Sequence, residues 1–296
     1  GFNETINYSF IPQDSMELFK ISPNESLYSD IILQNPIAGA YSLMRPTMVY
    51  SLLNCLAYNY SIGNSNIGIF ELGKVYFKNS DFETGCEEKD ICAFMMSGIR
   101  ISRGFGCEKD IKYTYYDMLN ILKVIFDEFG QEFELKENTL KFCEEGSSYD
   151  ILVNNNRIGF IGEINTGMLK KINNVKLIKD KVFYCEFYLK GISEKIKKIK
   201  FESKYPPVKR LYNLLQKKNI KSGKVIDIIK SSDEIVQDVI VRDIYSDKNF
   251  SENEHAVLYE VNYCSKYSTL TFEQIENIEK TFLKELSDKY GMSLKC

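Results

Sequence analysis

The stretch Leu211–Tyr245, LYNLLQKKNIKSGKVIDIIKSSDEIVQDVIVRDIY, decides the fold of the last hundred residues. Leu211–Leu215 reads as a strand, and Ser222 is placed to cap a helix running to about Ser231. Ile235–Tyr245 then alternates apolar and polar residues, the period of a half-buried strand. Beyond it, Ala256–Tyr263 alternates in the same way. Thr271 followed by Gln274 forms a capping box. The helix that follows carries an apolar stripe at Ile275, Ile278, Phe282 and Leu286, and Gly291 is expected to end it. Met292–Leu294 is expected as a last strand. The order is β-α-β-β-α-β, the ferredoxin-like split βαβ arrangement.

Upstream of this block the composition changes. Residues 190–224 hold twelve Lys and Arg against two acids, a local net charge of +10 in a chain whose overall charge is −3. A domain boundary is expected here: a core module over 1–190, a basic linker over 191–202 and the ferredoxin-like domain over 203–296. The length of 296 residues agrees with two domains.

The first module alternates strands and helices. Strands are expected at Phe2–Phe10, Ile31–Leu33, Ile67–Phe77, Asp90–Gly98 and Val182–Leu189. Ile151–Val153 and Arg157–Ile161 bracket Asn154-Asn155-Asn156 as a hairpin. Helices are expected at Met44–Tyr60, with Pro46 near its start, at Tyr115–Phe129 ending on Gly130, and at Gly167–Ile172. Together these describe an α+β module.

Several function classes drop out. No run of 18 or more apolar residues exists, so no membrane span is expected. The opening residues lack the basic-then-apolar pattern of a secretory signal. His255 is the sole histidine, so no site needing two is available. Its neighbours Glu254 and Ala256 suggest no nucleophile for it to serve. Eight cysteines are scattered without a C-x-x-C pair, and Cys86 and Cys92 are badly spaced for zinc. Reduced thiols in a cytoplasmic protein are expected, with no metal site. Gly104 and Gly106 lack the strand-to-helix context and lysine of a phosphate loop. The chain opens at Gly1 inside a strand-like pattern and is expected to be a fragment or a processed form.

A resemblance carries the reading further. GFNETINYSF (1–10), LQNP (33–36), LMRPTMVYSLLNCLAYNYS (43–61), IFELGKVY (69–76) and NRIGFIGEIN (156–165) resemble, in order, the catalytic-like module of the bacterial phenylalanyl-tRNA synthetase beta subunit family. SKYPPVKR (203–210) and the pattern after it resemble that family's anticodon-binding domain. The resemblance implies a class II synthetase-like antiparallel sheet followed by a ferredoxin-like domain. It also implies an (αβ)2 heterotetramer with an alpha subunit, and tRNA(Phe) as partner. ATP and Mg²⁺ would serve the complex and be bound by the partner subunit. Upstream modules, the editing site among them, would lie before Gly1.

The same resemblance implies that this module is catalytically silent. Where the catalytic subunit closes a strand with an arginine for the α-phosphate, the matching strand Gly73-Lys74-Val75-Tyr76 is followed by Phe77, which donates no hydrogen bond to a phosphate. The strand matching a second, Gly-rich arginine segment is Val182–Lys190. It holds no glycine, and its Glu186 would repel a nucleotide. No catalytic residue is therefore expected on this chain. Glu71 is expected as a structural acceptor.

Lys204, Tyr205, Lys209 and Arg210 are the expected RNA contacts, with cations on phosphates and the ring on an unpaired base. Phe2, Arg45, Met48 and Leu52 are expected at, or directly supporting, the subunit interface. Arg242 and Tyr245 lie three apart on one strand, so strict alternation puts them on opposite faces unless a bulge intervenes. The chain departs from the family pattern at Asn165-Thr166, at Glu144–Ser148 and at Leu211. An alternative reading follows from these changes: a truncated paralogue that binds tRNA-like RNA without aminoacylation.

Overall fold

The computed structural model describes all residues except 24, 37, 38, 40, 170–177, 193–202, 248, 249 and 296. Most of the basic linker, and the end of the helix expected at Gly167–Ile172, lie outside the described residues. The chain divides into two compact units, Gly1–Lys198 and Ile199–Cys296.

The first unit holds β1 (Asn3–Glu4), β2 (Phe10–Pro12), α1 (Ser15–Leu18), β3 (Tyr41–Met44), α2 (Val49–Ser61), β4 (Ile67–Lys78), β5 (Cys86–Ser97), β6 (Ile99–Ile101), β7 (Ile111–Lys112), α3 (Tyr115–Glu128), β8 (Glu134–Glu137), β9 (Tyr149–Val153), β10 (Asn156–Glu163), α4 (Thr166–Leu169) and β11 (Val182–Tyr188). Seven of these strands form one sheet in the order β1-β4-β5-β11-β10-β9-β8. Every pairing in it is antiparallel except β1 with β4.

Strand alternation gives this sheet two buried faces. On one, α2 contributes Met48, Val49, Leu52 and Leu53 to a core with Ile67, Ile69, Val75, Ile91, Ala93, Met95, Phe160 and Tyr184. On the other, α3 contributes Met118, Leu122 and Phe126 against Cys92, Phe94, Phe183, Cys185 and Phe187. Thr114 and Asp117 cap α3 reciprocally, and Gly130 follows it at φ 61°. Asn154 and Asn155 both adopt positive φ (50° and 63°), which forms the tight turn of the β9–β10 hairpin.

Two expectations are corrected. The single strand expected at Phe2–Phe10 is two short strands in different sheets. β1 joins the large sheet, whereas β2 pairs with β3. The helix expected from Met44 begins at Val49, and Tyr41–Met44 is a strand instead. Pro46 gives the reason: a residue before proline is driven out of the helical region, so Arg45 cannot be helical without strain.

The second unit holds β12 (Val208–Lys217), α5 (Ser222–Ser231), β13 (Val236–Tyr245), β14 (Glu254–Tyr263), α6 (Phe272–Tyr290) and β15 (Ser293–Leu294). The βαββαβ order read from the sequence is present, and the sheet runs β13-β14-β12-β15. Tyr212, Leu214, Val257, Tyr259, Val261 and Tyr263 face the helices and pack on Val225, Ile229, Ile275, Ile278, Phe282 and Leu286. The Thr271–Gln274 capping box and the left-handed Gly291 at φ 66° bound α6 as expected. Ser222 does not cap α5 by its side chain, since the cap position falls on Lys221.

Candidate functional site

In the first unit the polar side chains that the sequence singled out converge on the sheet face under α2. Register places Glu71 opposite Ala93, and Ala93 opposite Glu186, in one row across three strands. Arg45, in the segment between β3 and α2, closes over this row. Its Nη2 pairs with Glu71 Oε1 at 2.8 Å, and both side chains are at most 3% exposed. Arg45 Nε donates to the Lys74 carbonyl at 3.0 Å, and Nη1 reaches Ser51 Oγ at 3.4 Å. The Arg45 carbonyl accepts from Tyr76 N at 3.0 Å, so one residue satisfies the outer edge of β4 through side chain and backbone together. Asn7 Nδ2 donates to the other oxygen of Glu71 at 2.7 Å. Gly73 leaves room for this cluster: a Cβ there would lie 2.8 Å from Arg45 Nη2 and 2.9 Å from Met48 Cε, two side-chain ends that would have to shift.

Glu186 is likewise enclosed. Its Oε2 accepts from Thr47 Oγ1 at 2.8 Å, from Met48 N at 3.1 Å and from the Tyr184 hydroxyl. Met48 is the N-cap residue of α2 and has no capping side chain of its own. A carboxylate from a strand 138 residues downstream thus supplies the missing acceptor at the helix start. Burial pushes the Glu186 carboxyl above its ordinary range, against the opposing pull of the Tyr184, Thr47 and Met48 donors.

Of the expected interface residues, Arg45, Met48 and Leu52 are fully buried within this unit. The apolar stripe of α2 packs on its own sheet, so of the two expected roles these three side chains are placed for support rather than for direct contact. Phe2 is half-buried and meets Phe94 edge-on at 6.2 Å. The exposed apolar side chains nearby in sequence are Ile6, at 91% exposure, and Tyr8. Phe77 packs at the margin of the core with Lys89 Nζ 4.9 Å from its ring centre.

In the second unit, neighbouring strand residues part company. Lys209 and Arg210 are both expected RNA contacts, and alternation sends them to opposite faces of β12. Lys209 lies on the face away from the helices, 3.8 Å from Glu260. Arg210 lies on the helix side, 3.5 Å from Glu279, with its guanidinium 4.8 Å from the centre of the Phe272 ring. Glu260 also takes Arg242 in a two-point pair, at 2.8 Å for both bonds. These partners hold the Glu260 carboxyl below the usual carboxylate range.

The register of β13 shifts between Val241 and Asp243. This bulge brings Arg242 and Tyr245 to the same face, where Asn213 Nδ2 donates to the Tyr245 hydroxyl at 2.7 Å. Lys204 is exposed and Tyr205 half-buried at the mouth of β12. Sequence reading missed Glu260 and Lys295, the latter sitting 4.9 Å over the Tyr245 ring. Only register could reveal them.

Among the described residues, no three His, Cys, Asp or Glu side chains gather as a metal site. The seven described cysteines are free. Burial pushes the Cys92 thiol up to about 11 and that of Cys143 up to about 12, so neither is a ready nucleophile near neutral pH. No helix among the described residues is long and apolar enough to cross a membrane.

The model of the phenylalanyl tRNA synthetase beta chain CLM domain matches residues 1–189. The chain belongs to the phenylalanyl-tRNA synthetase beta chain family. A ferredoxin-fold anticodon binding domain is matched over residues 203–295. The phenylalanine–tRNA ligase beta subunit of Fusobacterium nucleatum is 27% identical over 300 residues, covering 100% of this chain and 36% of that protein. That of Carboxydothermus hydrogenoformans is 29% identical over 303 residues, covering 100% and 37%. The chain therefore spans a little over a third of the length of these relatives. A solved pyrrolysyl-tRNA synthetase from Desulfitobacterium hafniense is similar at 17% identity, with a TM-score of 0.47 over 64% of this chain and 61% of that one.

Proposed function

We propose that this chain is the C-terminal part of a phenylalanine–tRNA ligase beta subunit, a cytoplasmic protein whose first unit scaffolds a catalytic alpha subunit and whose second unit binds tRNA(Phe), in an (αβ)2 assembly. The observation that carries this is the succession of the two family domains, in order, over nearly the whole chain. Lys204, Tyr205, Lys209 and Arg210 are the proposed RNA contacts. Phe2, Arg45, Met48 and Leu52 shape the scaffold from beneath.

ATP and Mg²⁺ would serve the complex on the partner subunit. In this chain the sheet row under α2 is occupied by the Arg45–Glu71 pair and by Glu186, with α2 packed directly on it, which supports a nucleotide site on the partner. The chain alone is expected to give no phenylalanine-dependent ATP–pyrophosphate exchange. Exchange above background that disappears on mutating residues 70–77 would overturn the silent-module reading.

Assembly is tested by co-purification. Mixed with alpha at micromolar concentration, the chain is expected to leave its monomer peak, since an obligate interface buries more than about 2,000 Å². tRNA affinity measured against salt tests the second unit. Lys209→Ala is expected to flatten the log–log slope by about 0.7–0.9 for each phosphate that the lysine no longer neutralises. Retained tRNA binding with no alpha association would favour the truncated paralogue.

A further inference from the structure

The sheet of the second unit has one face turned away from its helices, and Glu260 stands on that face, on the inner strand β14. Register sets Glu260 in a row with Ile240 on β13 and Leu211 on β12. Both row neighbours are apolar, and Leu211 is 61% exposed. The row itself therefore gives the carboxylate no partner. Its partners reach in from outside the row. Arg242 bonds both carboxylate oxygens at 2.8 Å, and Lys209 Nζ lies 3.8 Å away. The Asn262 side chain donates a further hydrogen bond. Asn262 Oδ1 is buried with no partner, so this amide is turned to serve the carboxylate although its own oxygen is left unbonded.

Stability does not account for this arrangement. The Arg242 and Lys209 side chains are 48% and 64% exposed, against 12% for Glu260. Ion pairs with cations this exposed contribute little to folding. Their consequence lies in the charge that the face presents. A guanidinium held at two points by an enclosed carboxylate is not free to replace a counterion on a phosphate. Lys209, beyond hydrogen-bond distance, keeps its freedom. Asp238 and Asp243 lie opposite Asn262 and Leu258 in register, on the same face. Asp238 pairs with Lys230 at 3.0 Å, and Asp243 accepts from Ile244 N at 2.9 Å. Among these acids it is Glu260 that holds Arg242.

We propose that Glu260 is a specificity-determining residue: it takes Arg242 out of use and tempers Lys209, so that the open face of this sheet does not hold RNA by charge alone. The inference rests on the tRNA-binding reading above and adds a restraint to it. Phosphate contacts carry no sequence information, so every free cation on an RNA-binding unit strengthens its hold on all RNA alike. An acid that occupies one of those cations lowers this indiscriminate attraction and leaves the contacts that read shape and sequence untouched. Removing the acid while keeping the cations returns Arg242 to the face.

The test uses the full chain with a single-stranded oligouridylate and a tRNA(Phe) transcript, each titrated across about 50–200 mM salt. Glu260→Gln keeps the size of the side chain and loses its charge. It is expected to steepen the log–log slope for oligouridylate by about 0.7, the increment for one more single-strand phosphate contact. The loss of affinity across that salt range then grows roughly 2- to 3-fold. Glu260→Leu, which continues the apolar row between Ile240 and Leu211, is expected to do the same. Arg242→Ala is expected to leave the native slope nearly unchanged and to remove the added steepness from Glu260→Gln. Native slopes in both Glu260 variants, or an Arg242→Ala effect of equal size with and without the acid, would overturn the restraint. The tRNA(Phe) titration of the native chain tests the tRNA-binding reading separately: absent binding there would overturn that reading, while the oligouridylate slopes would still decide the role of Glu260.

Discussion

Replacing Arg45 with alanine is expected to destabilise the first unit by about 3–5 kcal/mol, the cost of leaving a buried carboxylate without its partner. Arg45 and Glu71 are both enclosed, and the remaining polar atoms of the pair are satisfied by Asn7, Ser51 and the Lys74 carbonyl. Removing the guanidinium strands Glu71 and takes the donor from the Lys74 carbonyl at the edge of β4. Chemical denaturation followed by a probe in the first unit reads the loss as a lower midpoint for that transition. The double replacement Arg45→Met with Glu71→Leu is expected to recover much of it, because a well-packed apolar pair of similar volume replaces many buried ion pairs without net cost. Gly73→Ala reaches the same cluster from the other side by pressing a methyl group against Arg45 and Met48, and is expected to destabilise the same transition. An unfolding free energy for Arg45→Ala within about 0.5 kcal/mol of the parent would show that the pair is not a keystone of this unit.

Glu186 gives the second large effect, and its sign depends on pH. Its carboxyl is raised above the ordinary value of 4.5, burial being the leading cause. The folded state therefore holds the proton more tightly than the unfolded state. Below 4.5 both states are protonated and this group does not change stability with pH. As pH rises from 4.5 toward the elevated folded value the unfolded state ionises first, so stability falls across that window and levels off above it. Glu186→Gln retains an acceptor for Thr47, Tyr184 and Met48 N but cannot ionise. The stability difference, variant minus parent, is expected to rise through the same window, and both are measured by denaturation at a series of pH values. Glu186→Ala instead leaves three buried donors unpaired. It is expected to cost several kcal/mol, at about 1–3 kcal/mol for each unsatisfied group. A flat difference curve would mean that donors and burial cancel, and one that falls with rising pH that the donors outweigh burial; either would overturn the raised carboxyl.

The two units were legible in the sequence to different degrees. Residues 203–296 could be read because their signals are local. The capping box at Thr271, the stripe Ile275–Leu286, Gly291 and the alternation of Ile235–Tyr245 each lie within one element, and short-range sterics and hydrogen bonding suffice to set them. In the first unit the N-terminal segment could not be read in the same way. Phe2–Phe10 has a strand-like composition throughout, but its two halves pair with strands far apart in the chain, β4 and β3. No local signal says where the chain changes sheets.

Residue identity along the chain was enough to establish that Phe77 carries no phosphate-gripping charge, that α2 has one apolar face and that positive charge gathers at 190–224. Tertiary structure alone decided what those residues meet. Arg45 and Met48, expected at or directly supporting an interface, are interior, because only the packed sheet reveals that the apolar stripe of α2 is already used. Lys209 and Arg210, adjacent and alike in sequence, separate because a strand turns successive side chains to opposite faces. Arg242 and Tyr245, expected apart by that same rule, come together because one bulge resets the register. Glu186 serves as a cap for α2 through contacts spanning more than a hundred residues. Charge type, apolar periodicity and caps are properties of short windows. Face, register and burial arise only when distant strands pair.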